Sequence, residues 1–128
     1  SFVDTVCEGV NESTSAKENI LVERMKTLID LEYNNINLNL SYIADKMGLN
    51  ATYLSRVFLA SVGESLLNYM NKYRVEKAKS LMKNPELTVE SISALVGFGS
   101  SNSFIRVFKK YEYMTPGQYR QMLQKEKT

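Results

Sequence analysis

From Ile20 onward, apolar positions recur at helical spacing. Leu21, Met25, Leu28 and Glu32 follow a 4-3-4 rhythm with Ile29 beside them, and Asn34-Asn35-Ile36-Asn37 stops that helix. Leu40, Ile43, Ala44 and Met47 then line one face of a short helix over 40–47, and Gly48 suits its C-terminal cap. Asn50 suits the N-cap of a third helix, Ala51 to Ser61, with Leu54, Val57 and Phe58 on its buried side. Glu64 to Met82 reads as one long helix with an apolar stripe of Leu66, Met70, Tyr73, Ala78 and Leu81, ended by Asn84-Pro85. Thr88 with Ser91 opens a fifth helix over 88–96, closed by Gly97. A sixth runs from Ser101 to Tyr111, and Thr115 with Pro116 starts a seventh. The pattern predicts an all-α chain of about seven helices. Residues 1–19 are polar and lack periodicity, so they read as a linker or frayed terminus from a longer protein, the second half able to begin a helix.

The chain from residue 41 on contains two copies of one unit. Ile43 pairs with Ile92 and Gly48 with Gly97 at an offset of 49. After one inserted residue the offset is 50: Arg56-Val57-Phe58 pairs with Arg106-Val107-Phe108, Leu54 with Phe104, and Tyr69 with Tyr119. Each copy is a short helix, a glycine turn and a second helix of about eleven residues, which is helix-turn-helix geometry. The predicted organisation is a first subdomain over 20–63, a linker helix over 64–83 and a second subdomain over 84–128.

At 100° per residue, placing Leu54, Val57 and Phe58 inward points Thr52, Arg56 and Leu59 outward, with Ser55 on the flank. In the second copy Asn102, Arg106 and Lys109 point outward, with Ile105 on the flank. The equivalent outward position therefore holds arginine twice. Arginine suits bidentate contacts with guanine O6 and N7, and asparagine suits adenine N6 and N7. Phe58 and Phe108 belong to the core. Thr52, Ser55, Arg56, Asn102, Ile105 and Arg106 are the expected base-reading residues. Asn50, Tyr53, Ser101, Lys109, Lys110 and Arg120 are the expected contacts to the DNA backbone.

Charge sharpens this reading. The net charge is only +2, but residues 1–40 carry 3 basic and 7 acidic side chains while 41–128 carry 13 and 7. With Lys72, Arg74, Lys77 and Lys79 on the long helix added to Lys109, Lys110 and Arg120, about four to six phosphate contacts predict a slope of log K against log salt of about −4 to −5. The absence of histidine removes His-dependent triads and His-containing zinc sites. The single cysteine, Cys7, allows no intrachain disulfide and fits a reducing cytosol. No apolar run is long enough for a transmembrane helix. Ser80-Leu81-Met82-Lys83 has Ser-x-x-Lys spacing without companion motifs, and Gly97-Phe98-Gly99 follows a helix instead of a strand, so neither supports an enzyme. No cofactor is expected.

The residues of the repeat resemble the AraC/XylS family of bacterial transcription regulators. The second copy carries the specific part: Ile92 to Phe98, then Phe104-Ile105-Arg106-Val107-Phe108-Lys109-Lys110, then Thr115-Pro116-Gly117-Gln118-Tyr119-Arg120. The first copy matches through Ile43-Ala44, Gly48, Tyr53 to Phe58, Gly63 and Tyr69, and Tyr73 to Ala78 resembles the family's linker helix. The resemblance implies double-stranded DNA as partner, with the second helix of each copy in one of two adjacent major grooves. A helix over 64–82 spans about 28 Å, near the ~34 Å of one DNA turn. It also implies a cytoplasmic regulator whose fragment acts as a monomer, RNA polymerase as a second partner, and an upstream sensor or dimerisation domain. Two departures stand out. Leu59-Ala60 occupies the place of Lys109-Lys110, and Tyr113-Met114 fills a site where the family has glycine, which predicts a different local turn. The competing reading is a helical protein–protein docking module using Leu59, Tyr113 and Met114.

Overall fold

The computed structural model describes the backbone of residues 5–127 and the side chains of residues 16–125. Seven α-helices follow in order: α1 (Thr5–Glu32), α2 (Leu40–Met47), α3 (Ala51–Val62), α4 (Leu66–Leu81), α5 (Val89–Leu95), α6 (Ser101–Glu112) and α7 (Pro116–Lys127). Among the described residues there is no strand. Six helices begin within two residues of their expected starts. The exception is α1, which is helical backbone from Thr5, where the sequence predicts a link or frayed terminus over 1–19 with only its second half able to begin a helix.

The contacts divide the chain into two compact units. The first holds residues up to Leu31 together with Asn39–Leu66, and the second holds Glu32–Leu38 with the chain from Leu67 onward. These bounds differ from the expected 20–63, 64–83 and 84–128. Nearly all of α4 belongs to the second unit, as does the connection between α1 and α2.

In the first unit α2 packs on α3. Val22, Met25 and Ile29 of α1, Ile43 and Ala44 of α2, and Leu54, Val57 and Phe58 of α3 are all buried. Their 3–4 spacing within each helix is what brings them to one side. In the second unit Val75 and Ala78 of α4 and Met82 just after it join Ile92, Val96, Phe98, Phe104 and Phe108 in one core. The rings of Phe98, Phe104, Phe108 and Tyr119 form a chain with centroids 5.3 to 5.6 Å apart, mostly tilted or edge-on. Full burial of Phe104 and Phe108 stabilises the unit by about 1.5–3 kcal/mol each.

The sequence repeat is also a repeat of helix caps. Asn39 accepts from the Tyr42 N–H and Thr88 from the Ser91 N–H, 49 residues on. Asn50 accepts from the Tyr53 N–H and Ser100 from the Ser103 N–H, 50 residues on. Each such cap contributes about 1 kcal/mol. At the other end, Gly63 (φ 88°) and Tyr113 (φ 62°) both take the left-handed conformation and donate to the carbonyls of Leu59 and Lys109. The expectation of a different turn at Tyr113-Met114 is thereby corrected. The hydrogen bond that ends α6 fixes the backbone as it does after α3, and the tyrosine side chain points into solvent at 90% exposure. Thr115 and Gln118 cap α7 reciprocally, the Gln118 N–H donating to Thr115 Oγ1 and the Thr115 N–H to Gln118 Oε1.

Arg74 is the main departure from the expected surface of α4. It is 7% exposed. Its Nε donates to the Tyr33 carbonyl at 2.9 Å and its Nη2 to the Asn35 carbonyl at 3.0 Å. Its guanidinium also lies 5.7 Å from the Phe98 ring centroid. Burial lowers its pKa from the ordinary arginine value, yet guanidinium stays charged in proteins. Gly97, at φ 93°, completes this site: a Cβ there would collide with the Tyr33 carbonyl oxygen and crowd Arg74 Nε.

Candidate nucleic-acid interface

The structure places eleven of the twelve expected contact residues on or beside α3 and α6, and the twelfth, Arg120, on α7. Thr52 and Arg56 are exposed on α3, with Ser55 half-buried beside them. On α6, Asn102 and Arg106 are exposed and Ile105 is half-buried. Thr52 and Arg56, like Asn102 and Arg106, are four residues apart on the side opposite the buried Leu54, Val57 and Phe58, or Phe104 and Phe108, with Ser55 and Ile105 on the flank. A cylinder of this diameter, about 10–12 Å, matches the major groove, about 12 Å wide.

The backbone-contact candidates fare unevenly. Lys109 and Lys110 are exposed in the last turn of α6. Asn50 spends its side-chain oxygen on the α3 cap, at 3.0 Å from the Tyr53 N, which leaves its amide nitrogen as the donor for a phosphate. Tyr53 and Ser101 are half-buried at the starts of their helices. Arg120 is half-buried too, with Nη2 3.5 Å from the Asn84 carbonyl and Nε buried without a hydrogen-bond partner.

Two long-helix cations drop out of the expected phosphate set. Arg74 is committed to the Tyr33 and Asn35 carbonyls. Lys79 Nζ lies 3.1 Å from Glu112 Oε1 and 3.3 Å from Glu76 Oε1. Burial alone would lower the Lys79 pKa, but the hydrogen bonds and charges of Glu112 and Glu76 outweigh it and raise the value. Lys77 Nζ lies 5.3 Å from the Tyr73 ring centroid and Lys72 Nζ 6.0 Å from that of Tyr111. A ring contact of that kind leaves the positive charge in place.

The faces are electrostatically unequal. α6 presents Arg106, Lys109 and Lys110, whereas Arg56 is the only cation in the sequence of α3. Leu59, 52% exposed, stands where α6 has Lys109. The docking-module set is also thinned, because Met114 packs against the core of the second unit and is only half-buried at its edge. Glu18 escaped the sequence reading altogether. It lies in the part of α1 that looked like a link, and it lines a recess of about 260 Å³ with Tyr53, Arg56, Val57 and Ala60.

Comparison with known proteins agrees with this geometry. The helix-turn-helix domain family profile matches residues 43–122. An uncharacterised HTH-type transcriptional regulator of Bacillus subtilis, YtdP, is 33% identical over 120 residues, covering 94% of this chain and 15% of that protein. The Msm operon regulatory protein of Streptococcus mutans is 32% identical over 117 residues, covering 91% of this chain and 40% of that protein. The chain thus spans well under half the length of either relative. The crystal structure of the C-terminal domain of the two-component response regulator yesN from Fusobacterium nucleatum is 38% identical, with a TM-score of 0.73 over 77% of this chain and 95% of that one. With two capped helix-turn-helix copies in its geometry and those matches across most of its length, the chain belongs to the AraC/XylS helix-turn-helix family of DNA-binding transcriptional regulators.

Proposed function

We propose that the chain reads double-stranded DNA sequence-specifically, with α3 and α6 entering two adjacent major grooves, and that it thereby regulates bacterial transcription. One observation carries the reading: Arg56 and Arg106 stand at equivalent exposed positions of two helices whose caps and end turns recur at the same offset. Thr52, Ser55 and Arg56 face bases from α3, and Asn102, Ile105 and Arg106 face them from α6. Lys109, Lys110, Asn50, Tyr53, Ser101 and Arg120 hold the sugar-phosphate backbone. The fragment acts as a monomer on an asymmetric site. In its cytoplasmic setting it works beside an upstream sensor or dimerisation domain and contacts RNA polymerase, as the operon regulator of Streptococcus mutans suggests for the regulatory role alone. No catalytic role is assigned.

Binding to a duplex at a series of salt concentrations tests this. With Arg74 and Lys79 removed from the phosphate set, about three to five contacts predict a slope of about −3 to −4.5. A slope near zero favours the docking module built on Leu59 and Tyr113.

A further inference from the structure

Arg56 carries the whole positive charge of the first reading helix, and its near surroundings contain a carboxylate from a different helix. Glu18 of α1 shares one recess of about 260 Å³ with Arg56, Tyr53, Val57 and Ala60 of α3. Glu18 is half-buried and Arg56 exposed, so the recess pairs a partly covered acidic residue with an accessible basic one. The second unit is built with the opposite balance, since α6 adds Lys109 and Lys110 beyond Arg106.

A long arginine on DNA without its preferred base falls back on phosphate, because that contact asks for no particular sequence. A carboxylate lining the same recess offers a competing partner and repels the phosphate as well. A guanine edge presents two acceptors in the geometry of the guanidinium fork and outcompetes a single, partly solvated carboxylate. Discrimination of this kind arises by weakening the wrong complex more than the right one.

We propose that Glu18 is a specificity-determining residue: it competes for Arg56 against phosphate and yields it to a cognate base. The second unit then supplies most of the sequence-independent affinity, and Glu18 adds discrimination at the base read by Arg56. This rests on the DNA-binding reading given above and adds the mode in which its first helix is restrained.

The experiment compares the chain with Glu18→Gln, Arg56→Ala and the double variant. Affinities are measured for a random duplex and for a duplex selected from a random pool, at low and high salt. Glu18→Gln is expected to tighten binding to the random duplex about two- to fivefold at low salt, and to tighten the selected duplex by less, so that the specificity ratio falls. The gain is expected to shrink at high salt and to vanish in the Arg56→Ala background. Equal tightening on both duplexes, an unchanged affinity on both, or the same gain without Arg56 overturns the proposal. Absence of salt-dependent binding by the unaltered chain is a different result, and it overturns the DNA-binding reading instead.

Discussion

Arg74 donates from Nε to the carbonyl oxygen of Tyr33 at 2.9 Å, across 41 residues of sequence. With the second bond to the Asn35 carbonyl, it ties the segment after α1 to α4 inside the second unit. Replacing Arg74 with Met keeps the apolar stem and leaves both carbonyls without this donor. The expected loss is about 2–4 kcal/mol of stability, read from the urea midpoint. Arg74→Lys should recover only part of it, because one ammonium cannot reproduce the fork. Once folded, either variant should keep the salt slope of DNA binding. A reduced slope at unchanged stability would return Arg74 to the phosphate contacts.

Gly97 and Gly63 both have positive φ, but only Gly97 faces backbone where a Cβ would sit. Gly63→Ala should cost about 1–2 kcal/mol from conformation alone. Gly97→Ala should cost clearly more, since the Tyr33 carbonyl cannot move without disturbing Arg74. Thermal unfolding of the two variants compares them directly, and equal losses would contradict the packing described around Gly97.

Tyr113 tests the same physics with the opposite sign. Its left-handed conformation carries a penalty of about 1–2 kcal/mol that glycine avoids, offset by the about 0.5–1 kcal/mol of added chain entropy in the unfolded state. Tyr113→Gly should therefore raise stability by up to about 1.5 kcal/mol, and Tyr113→Val should lower it. A loss on Tyr113→Gly would mean that the exposed ring stabilises the fold in a way its 90% exposure does not suggest.

Much of this fold was legible in the sequence because its signals are local. Gly48, Asn50, Thr88 and Thr115 each act within four residues, and each stands at the helix end predicted for it. The repeat likewise located Arg56 and Arg106 on exposed surface. What escaped depends on partners distant in sequence. Arg74 bonds to backbone carbonyls, which have no residue signature, so it read as one more surface cation of the long helix. Glu18 fell in a polar stretch without apolar periodicity, and its place in one recess with Arg56 follows from the packing of α1 within the first unit. Tyr113 takes a turn that residue preference argues against, because the N–H bond to the Lys109 carbonyl fixes the end of α6.

Reading and anchoring should separate by mutation. Arg106→Ala is expected to cost about 1–3 kcal/mol on the selected duplex and to relax preference at one or two base pairs. Lys109→Ala should weaken all duplexes about equally and reduce the salt slope by about one unit. Arg56→Ala should cost less than Arg106→Ala on the selected duplex, since Leu59 gives its helix no matching anchor. Selections with the three variants check this, and uniform weakening by Arg106→Ala would remove its base-reading role.

The central claim is that one chain reads DNA with two equivalent helices. Hydroxyl-radical footprinting of the chain on its selected duplex, with sedimentation of the same complex, tests it most directly. The account predicts one chain per duplex and protection around two successive major grooves on one face of an asymmetric site. Protection confined to one groove, or binding only as a symmetric pair of chains, would contradict it.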